Sequence, residues 1–168
     1  MAYTLDQLAQ DCRAALDQDP GTSGREAVRD YISKACSDDD FLSHHLSSDD
    51  APERHILYED DKHGFCILAH VYRGEKHSNP HDHGPSWAIY GQAAGETSMT
   101  DWTVLERPEN GEPGKVEAKR TYLMQRGDAY LYNVGDVHSP SRTDTTRLIR
   151  VEGTDMQKVK RDKFDVVS

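Results

Sequence analysis

The chain has 168 residues and a mass of 19.0 kDa, with 35% hydrophobic and 30% charged residues, enough for one domain with a sizeable core. A formal net charge of −10 argues against a nucleic-acid-binding surface, which needs clustered Lys and Arg. No stretch approaches membrane-spanning length, and the three widely spaced cysteines (Cys12, Cys36, Cys66) suit free thiols in a reducing compartment rather than a disulfide framework. The start, MAYTLDQLAQDC, lacks a basic region followed by an apolar one, so a cytoplasmic protein is expected. Residues 1–48 read as helical. Thr4-Leu-Asp-Gln7 has capping-box form, and Leu5, Leu8, Cys12, Ala15 and Leu16 follow at helical spacing. "DPGTSG" breaks the chain, and Ser23-Gly-Arg-Glu26 offers a second capping box ahead of Val28, Tyr31, Ile32 and Ala35. A short third helix is predicted over 38–46, its acidic first turn (Asp38, Asp39, Asp40) matching the helix dipole. His44 and His45 at its end diverge and read as solvated.

From about residue 53 the pattern changes to short runs rich in β-branched and aromatic residues. "RHILYED", "GFCILAHVY", "SWAIYGQ", "ETSMTDWTVL", "VEAKRTYLM", "DAYLYNV" and "TRLIRVEG" are predicted strands, separated by turn formers such as "DKHG", "RGEKHSNP", "QRGD" and "NVGD". "ERPENGEPGK" is the most polar insert and reads as a long exposed hairpin loop, while the C-terminal "QKVKRDKFDVV" reads as a final edge strand or tail. Many short strands without intervening helices imply a sandwich or small barrel over 49–168, with the helical segment 1–48 packed on it.

"PHDHGPSWAIYG" (80–91) carries the chemistry. His81 and His83 are two apart, so on an extended segment they point the same way. Paired imidazoles are a poor packing choice, because both carry polar nitrogens in need of partners, but a good choice for holding a metal ion. A third ligand must then come from elsewhere. His138 stands out by its setting, "GDAYLYNVGDVH", a glycine-started strand leading through a tight Gly135-Asp136 turn to a histidine. Asp82 alternates away from the pair and reads as a turn residue, and His70, within "GFCILAHVY", reads as a hydrogen-bonded structural histidine.

This combination resembles the cupin superfamily, whose first motif is a glycine-rich lead, His-x-His, a Glu four or five residues on and then Gly, and whose second is Gly-x5-Pro-x-Gly-x2-His. His81, His83 and Gly95 match the first, with Gly74 one residue out of place; Gly127, Gly135 and His138 match the second, with Asn133 where proline is usual. The Glu position falls at Trp87 or Ala88, so the resemblance implies a centre of three histidines, His81, His83 and His138, without a carboxylate. "PHDHGPSW", "GETSMTDW" and the place of His138 further resemble the cysteine dioxygenase group of thiol dioxygenases and its bacterial double-stranded β-helix relatives, over roughly residues 50–155.

The resemblance implies a cupin-type double-stranded β-helix, mainly β, preceded by two or three helices. It implies Fe(II) as the metal, imidazole itself choosing weakly among Fe, Zn, Ni and Cu, with Mn a further option. A six-coordinate ion held by three neutral imidazoles keeps its +2 charge and three open positions, favouring an anionic ligand and O2 together. Arg54 lies where cysteine dioxygenases place the arginine that grips the substrate carboxylate, which competes with an ordinary strand-end position. Two departures bear on substrate: Ala88 stands where animal cysteine dioxygenases carry a crosslinked cysteine, and the strand of their Ser-His-Tyr relay reads Leu148, Arg150 and Glu152. Arg150 and Glu152 share a strand face, either solvent-exposed or turned inward to orient an anion and to accept a proton or hold the arginine. Trp87 and Tyr130 are candidates for lining a substrate pocket, against the commoner role of aromatic core. The function expected is oxidation of a small anionic metabolite, a thiol carboxylate first, with O2. C–C cleavage of a β-dicarbonyl, a non-oxidative isomerase or lyase, and a non-catalytic sensor compete with it. A homodimer is compatible with the sequence; nucleic acid and membrane are not expected partners.

Overall fold

The computed structural model describes residues 2–167. Three helices come first: α1 (Leu5–Gln18), α2 (Thr22–Cys36) and α3 (Asp39–His45). Thr4 caps α1 in a full capping box with Gln7, and Asp38 caps α3 by accepting from the Phe41 N–H at 2.9 Å. The second predicted box does not form. α2 starts at Thr22 on Gly21, because Asp19 takes the Gly21 N–H at 2.8 Å and closes the turn before Ser23 is reached. His44 is exposed as expected, but His45 is half-buried with its ring 4.7 Å from that of Phe41.

Ten strands follow: β1 (Arg54–Glu59), β2 (Cys66–Tyr72), β3 (Lys76–His77), β4 (Ala88–Ala94), β5 (Thr97–Glu106), β6 (Gly114–Met124), β7 (Ala129–Tyr132), β8 (Val137–Arg142), β9 (Thr146–Glu152) and β10 (Phe164–Val166). One sheet runs β1-β2-β9-β4-β7 and the other β10-β6-β5-β8-β3. The antiparallel pairings nest. β5 pairs with β6, β4 with β7, β3 with β8 and β2 with β9, as in a single long hairpin rolled up on itself. Contacts between successive turns, β4 with β9 and β5 with β8, hold the roll together. That is a double-stranded β-helix, a jelly roll with few open edges. The polar insert at 107–113 forms the β5–β6 loop as expected, and "FDV" pairs parallel to β6 at the sheet edge. Two strands were not legible in advance, the two-residue β3 and β8, whose "VHSPSR" is rich in turn formers.

Strand alternation sorts side chains between two main cores, with a smaller cluster of Val116, Val137 and Phe164 at the β10 edge. Phe65, Ile67, Ala69, Val71, Trp87, Ile89, Ile149 and Val151 leave the barrel and pack against Leu8, Cys12, Val28, Ile32, Cys36 and Phe41 of the helices. Gly91 is required there, since an added Cβ would sit 2.5 Å from Ile32 and 2.8 Å from the Cys36 sulfur. All three cysteines are free and buried. The other core lies between the sheets, around Ala88, Tyr90, Met99, Met124 and Tyr132, and shares its space with buried polar groups: His83, Gln92, Thr97, His138, Arg142, Arg150 and Glu152. Among the described residues no helix is long and apolar enough to cross a membrane.

Candidate metal centre

The histidines meet through the backbone first. The His81 N–H donates to the His138 carbonyl at 3.0 Å and the His138 N–H returns the bond at 2.9 Å, a closely spaced antiparallel pair outside the named strands. His81 and His83 therefore occupy an irregular extended segment ahead of β4, while His138 stands on β8, delivered by a turn whose Gly135 has φ +87°. The His81 and His138 rings lie 4.7 Å apart, and those of His83 and His138 stack at 5.1 Å and 19°. The Nε2 atoms of His83 and His138 are 3.3 Å apart, and one ligand nitrogen from each of the three lies within 4.8 Å of the others. Among the described residues this is the one group of metal-ligating side chains so arranged.

A fourth donor enters from β4. Tyr90 is turned inward between Ala88 and Gln92, and its hydroxyl oxygen sits 3.2 Å from His83 Nε2, 3.2 Å from His138 Nε2 and 3.4 Å from His81 Nε2. Tyr132 backs the cluster, its ring stacked 4.0 Å from His138, with its hydroxyl bonded at 2.6 Å to Tyr122, which donates to Asp101 at 3.0 Å.

The imidazoles are held neutral. Burial, reinforced by Arg161, Arg150 and Arg142, pushes His81 down to about 4 against the opposing bond to Asn79. Burial followed by Arg150 pushes His83 down to about 2, and burial followed by its two histidine neighbours puts His138 well below the usual range. Neutral imidazole is the ligand form. The His81 Nδ1–H donates to the Asn79 carbonyl at 2.9 Å, so its Nε2 presents a lone pair to the cluster. Without an ion the phenol can donate to His81 Nε2 and accept from His83 and His138 only with both of those protonated on Nε2, two N–H groups whose nitrogens are 3.3 Å apart. A cation relieves that crowding. Two donors about 2.1 Å from one ion lie roughly 3.0–3.4 Å apart, the spacing found between His83, His138 and Tyr90. The donor set fits a first-row divalent ion, and Asp82 is not part of it, its carboxylate accepting from the Gly84 N–H at 3.0 Å.

Around the cluster the barrel interior is cationic. The Arg150 guanidinium lies 4.1 Å from the Tyr90 ring centroid and donates to the Tyr72 hydroxyl at 3.2 Å; that of Arg142 lies 4.5 Å from the Tyr72 ring. Both arginines are buried, and Arg150 Nε and Arg142 Nη2 have no protein partner among the described residues. Glu152, 1% exposed, approaches Arg150 at 3.7 Å and accepts from Arg54 at 2.9 Å. A cavity of about 330 Å³ opens over Arg150, Glu152, Arg54, Tyr72 and His70. Arg150 thus links this mouth to the face of the Tyr90 ring.

The other sequence-derived site residues fall as follows. Arg150 and Glu152 face the interior. Glu152 makes no hydrogen bond to the histidines or to Tyr90, and both its oxygens are engaged by Arg54, Arg150 and the Met156 N–H, so it holds Arg150 rather than acting at the cluster. Arg54 is partly buried rather than an exposed strand-end residue: its Nη2 reaches Glu152 and Asp155, each at 2.9 Å, and it lines the cavity over Arg150. Trp87 does not line the site. It alternates with Ala88 onto the opposite face and joins the helix-facing core, with the Arg25 guanidinium 5.5 Å from its ring. Tyr130 pairs with Tyr90 across β4–β7 but packs on Tyr122 at 4.6 Å and lines a separate cavity of about 380 Å³ with Tyr122, Tyr132 and Arg120. His70 is the structural histidine expected, its Nδ1 3.1 Å from the Glu53 carbonyl and 3.0 Å from the Tyr72 hydroxyl. Two residues went unread, Tyr90 and Arg142. The signal for Tyr90 was in the sequence, since it shares a strand face with the vacated Glu position at Ala88.

Comparison with known proteins places neighbours around this architecture. The structure is similar to the cupin domain of Schizosaccharomyces pombe Cnp3 (TM-score 0.44, 12% identity, covering 62% of this chain and 66% of that one). It is similar to a cupin superfamily protein of Desulfitobacterium hafniense (TM-score 0.48, 10% identity, 68% and 87% covered). A third similar structure is an oxalate oxidase in complex with the substrate analogue glycolate (TM-score 0.45, 11% identity, 67% and 57% covered). No protein-family model and no curated protein sequence matches the chain. The fold assignment stands on the nested strand pairing, and the site on its own geometry: a double-stranded β-helix with three histidines converging in its interior.

Proposed function

We propose that this chain is a cupin-type metalloenzyme of the cysteine dioxygenase-like kind, using His81, His83 and His138 to hold one Fe(II) and oxidising a small anionic metabolite with O2. The observation that carries the reading is the convergence of three neutral imidazole nitrogens beside two buried arginines, Arg142 and Arg150. A bound iron ion would supply redox activation of O2 and a charged anchor for substrate. The protein's part is binding and orientation. The free N–H groups of Arg150 and Arg142 suit an acceptor-rich anion, a carboxylate above all, and a guanidinium offers a planar fork for it. Glu152 and Arg54 form the strut that fixes Arg150, and the tyrosine rings beneath both arginines keep water out and the cations in place. A thiol carboxylate fits this division of labour, the carboxylate on arginine and the thiolate toward the histidines.

The test is oxygen uptake by protein loaded anaerobically with Fe(II), across a panel of thiol carboxylates and β-dicarbonyls. Uptake matched to substrate consumed, and abolished in His138→Ala along with metal content, is the expected result. Turnover without oxygen uptake would move the chain to the isomerase and lyase class. Full metal content in His138→Ala would dismantle the centre itself.

A further inference from the structure

We infer that Tyr90 is the fourth protein ligand of the centre, bound through its phenolate oxygen; the inference rests on the three-histidine reading and deepens it. Its hydroxyl oxygen is not merely near the cluster. It is 3.2, 3.2 and 3.4 Å from the three Nε2 atoms, and His83 and His138 are themselves 3.3 Å apart. These four spacings match those around a single ion, since ligands about 2.0–2.1 Å from it stand roughly 3.0–3.4 Å from each other, and the three histidine nitrogens all lie within 4.8 Å of one another. A hydrogen-bonding role requires the hydroxyl to donate to His81 Nε2 and to accept from Nε2–H of both His83 and His138, which crowds two N–H groups whose nitrogens are 3.3 Å apart.

Burial pushes the Tyr90 phenol up and the neighbouring arginines only partly oppose it, so the phenolate depends on the ion itself. The Arg150 guanidinium lies 4.1 Å from the Tyr90 ring centroid, and Tyr90 is 1% exposed. Position in the chain agrees. The carboxylate site of the resembling motif is vacated at Trp87 and Ala88, and Tyr90 is the next inward-facing residue on the same strand after Ala88. When the ion binds, the oxygen–hydrogen bond breaks, an oxygen–metal bond forms and the proton passes to solvent. The charge of the centre falls from +2 to +1. A six-coordinate ion would keep two open positions instead of three, so an oxygen-dependent substrate would engage it through one atom.

The experiment is spectroscopic. Protein loaded with Fe(II) is oxidised with ferricyanide, which takes one electron from each iron, and the visible spectrum is recorded with the metal content. The expected result is a phenolate-to-iron(III) charge-transfer band in the wild-type protein and in Tyr132→Phe, lost in Tyr90→Phe while iron content stays close to wild type. Iron bound by the wild type with no such band overturns Tyr90 as a ligand and leaves the three histidines standing. A band that survives in Tyr90→Phe overturns it equally. Failure of the wild type to bind iron, or full binding by His83→Ala, overturns the centre and this inference together. Should Tyr90→Phe fold poorly, uniform incorporation of 3-fluorotyrosine into the wild-type and Tyr132→Phe proteins gives the second measurement: a ligating Tyr90 shifts the band in both, and an unshifted band removes it.

Discussion

Glu152 accepts from the Arg54 guanidinium and the Met156 N–H with one oxygen and faces Arg150 with the other. It is the single carboxylate at the buried end of this network, so removing its charge leaves Arg150 without a counterion in the interior. Glu152→Gln keeps the shape and should cost about 3 kcal/mol, the scale for breaking a buried pair. That corresponds to a fall of roughly 6–12 °C in Tm. Thermal melts check it, and a shift under a degree or two would mean the pair carries no stability. Turnover under the proposed function should fall as well, with metal content unchanged. At this scale the sequence was legible where spacing encodes geometry: His81 and His83 two apart, and His138 after a glycine turn. It was not legible where a residue's role depends on what lies across the barrel. For Tyr90 the sequence shows the strand face but not the partners, and Arg142 in "SPSRTD" sits among turn formers. Trp87, a single residue before Ala88, was lost to the opposite face by alternation alone.

Among elements, the seam between α1 and the barrel turns on Asp60, just past β1. One oxygen accepts from Arg13 of α1 at 2.7 Å and from Tyr58 at 2.8 Å; the other accepts from the backbone of Lys62 at 3.1 Å and His63 at 2.7 Å. Burial alone pushes this carboxyl up, but the bonds from His63, Tyr58 and Arg13 outweigh it and the net shift is downward. The unfolded chain therefore takes up the proton more readily, at about 3.9. The stabilisation is present above that pH and is lost as the pH falls through the lower native value. Asp60→Asn should cost about 1–2 kcal/mol near neutral pH, the half-exposed Arg13 limiting its share. Melts of both proteins across the acid range should show the gap closing below about pH 4. A gap that stays constant would assign the loss to packing. The helices were legible through their caps and apolar spacing, with the start of α2 displaced because a local Asp19–Gly21 bond outcompeted the Ser23 box. β8 escaped because its Ser-Pro-Ser composition denies strand propensity, and its pairing with β5 and β3 supplies what propensity does not.

At the scale of the whole molecule, an acidic chain keeps its buried arginines inside the barrel and its helices over one sheet. Strand count and turn chemistry were enough to expect the barrel, whereas the interior's cationic character follows only from which faces turn inward. The nested pairing has a kinetic consequence. The innermost hairpin, β5 with β6, closes only the 107–113 loop, while His83 and His138 meet across 55 residues and only after the outer arms have wound into place. Loop-closure entropy then makes the histidine cluster a late product of folding, in a topology that folds in milliseconds to seconds. An ion that waits for the finished cluster has nothing to bind in the transition state. Stopped-flow refolding should therefore proceed at the same rate with and without Fe(II) or Zn(II), while unfolding slows several-fold in the loaded protein. Acceleration of refolding by metal would show instead that the histidines gather early and guide the winding of the strands around them.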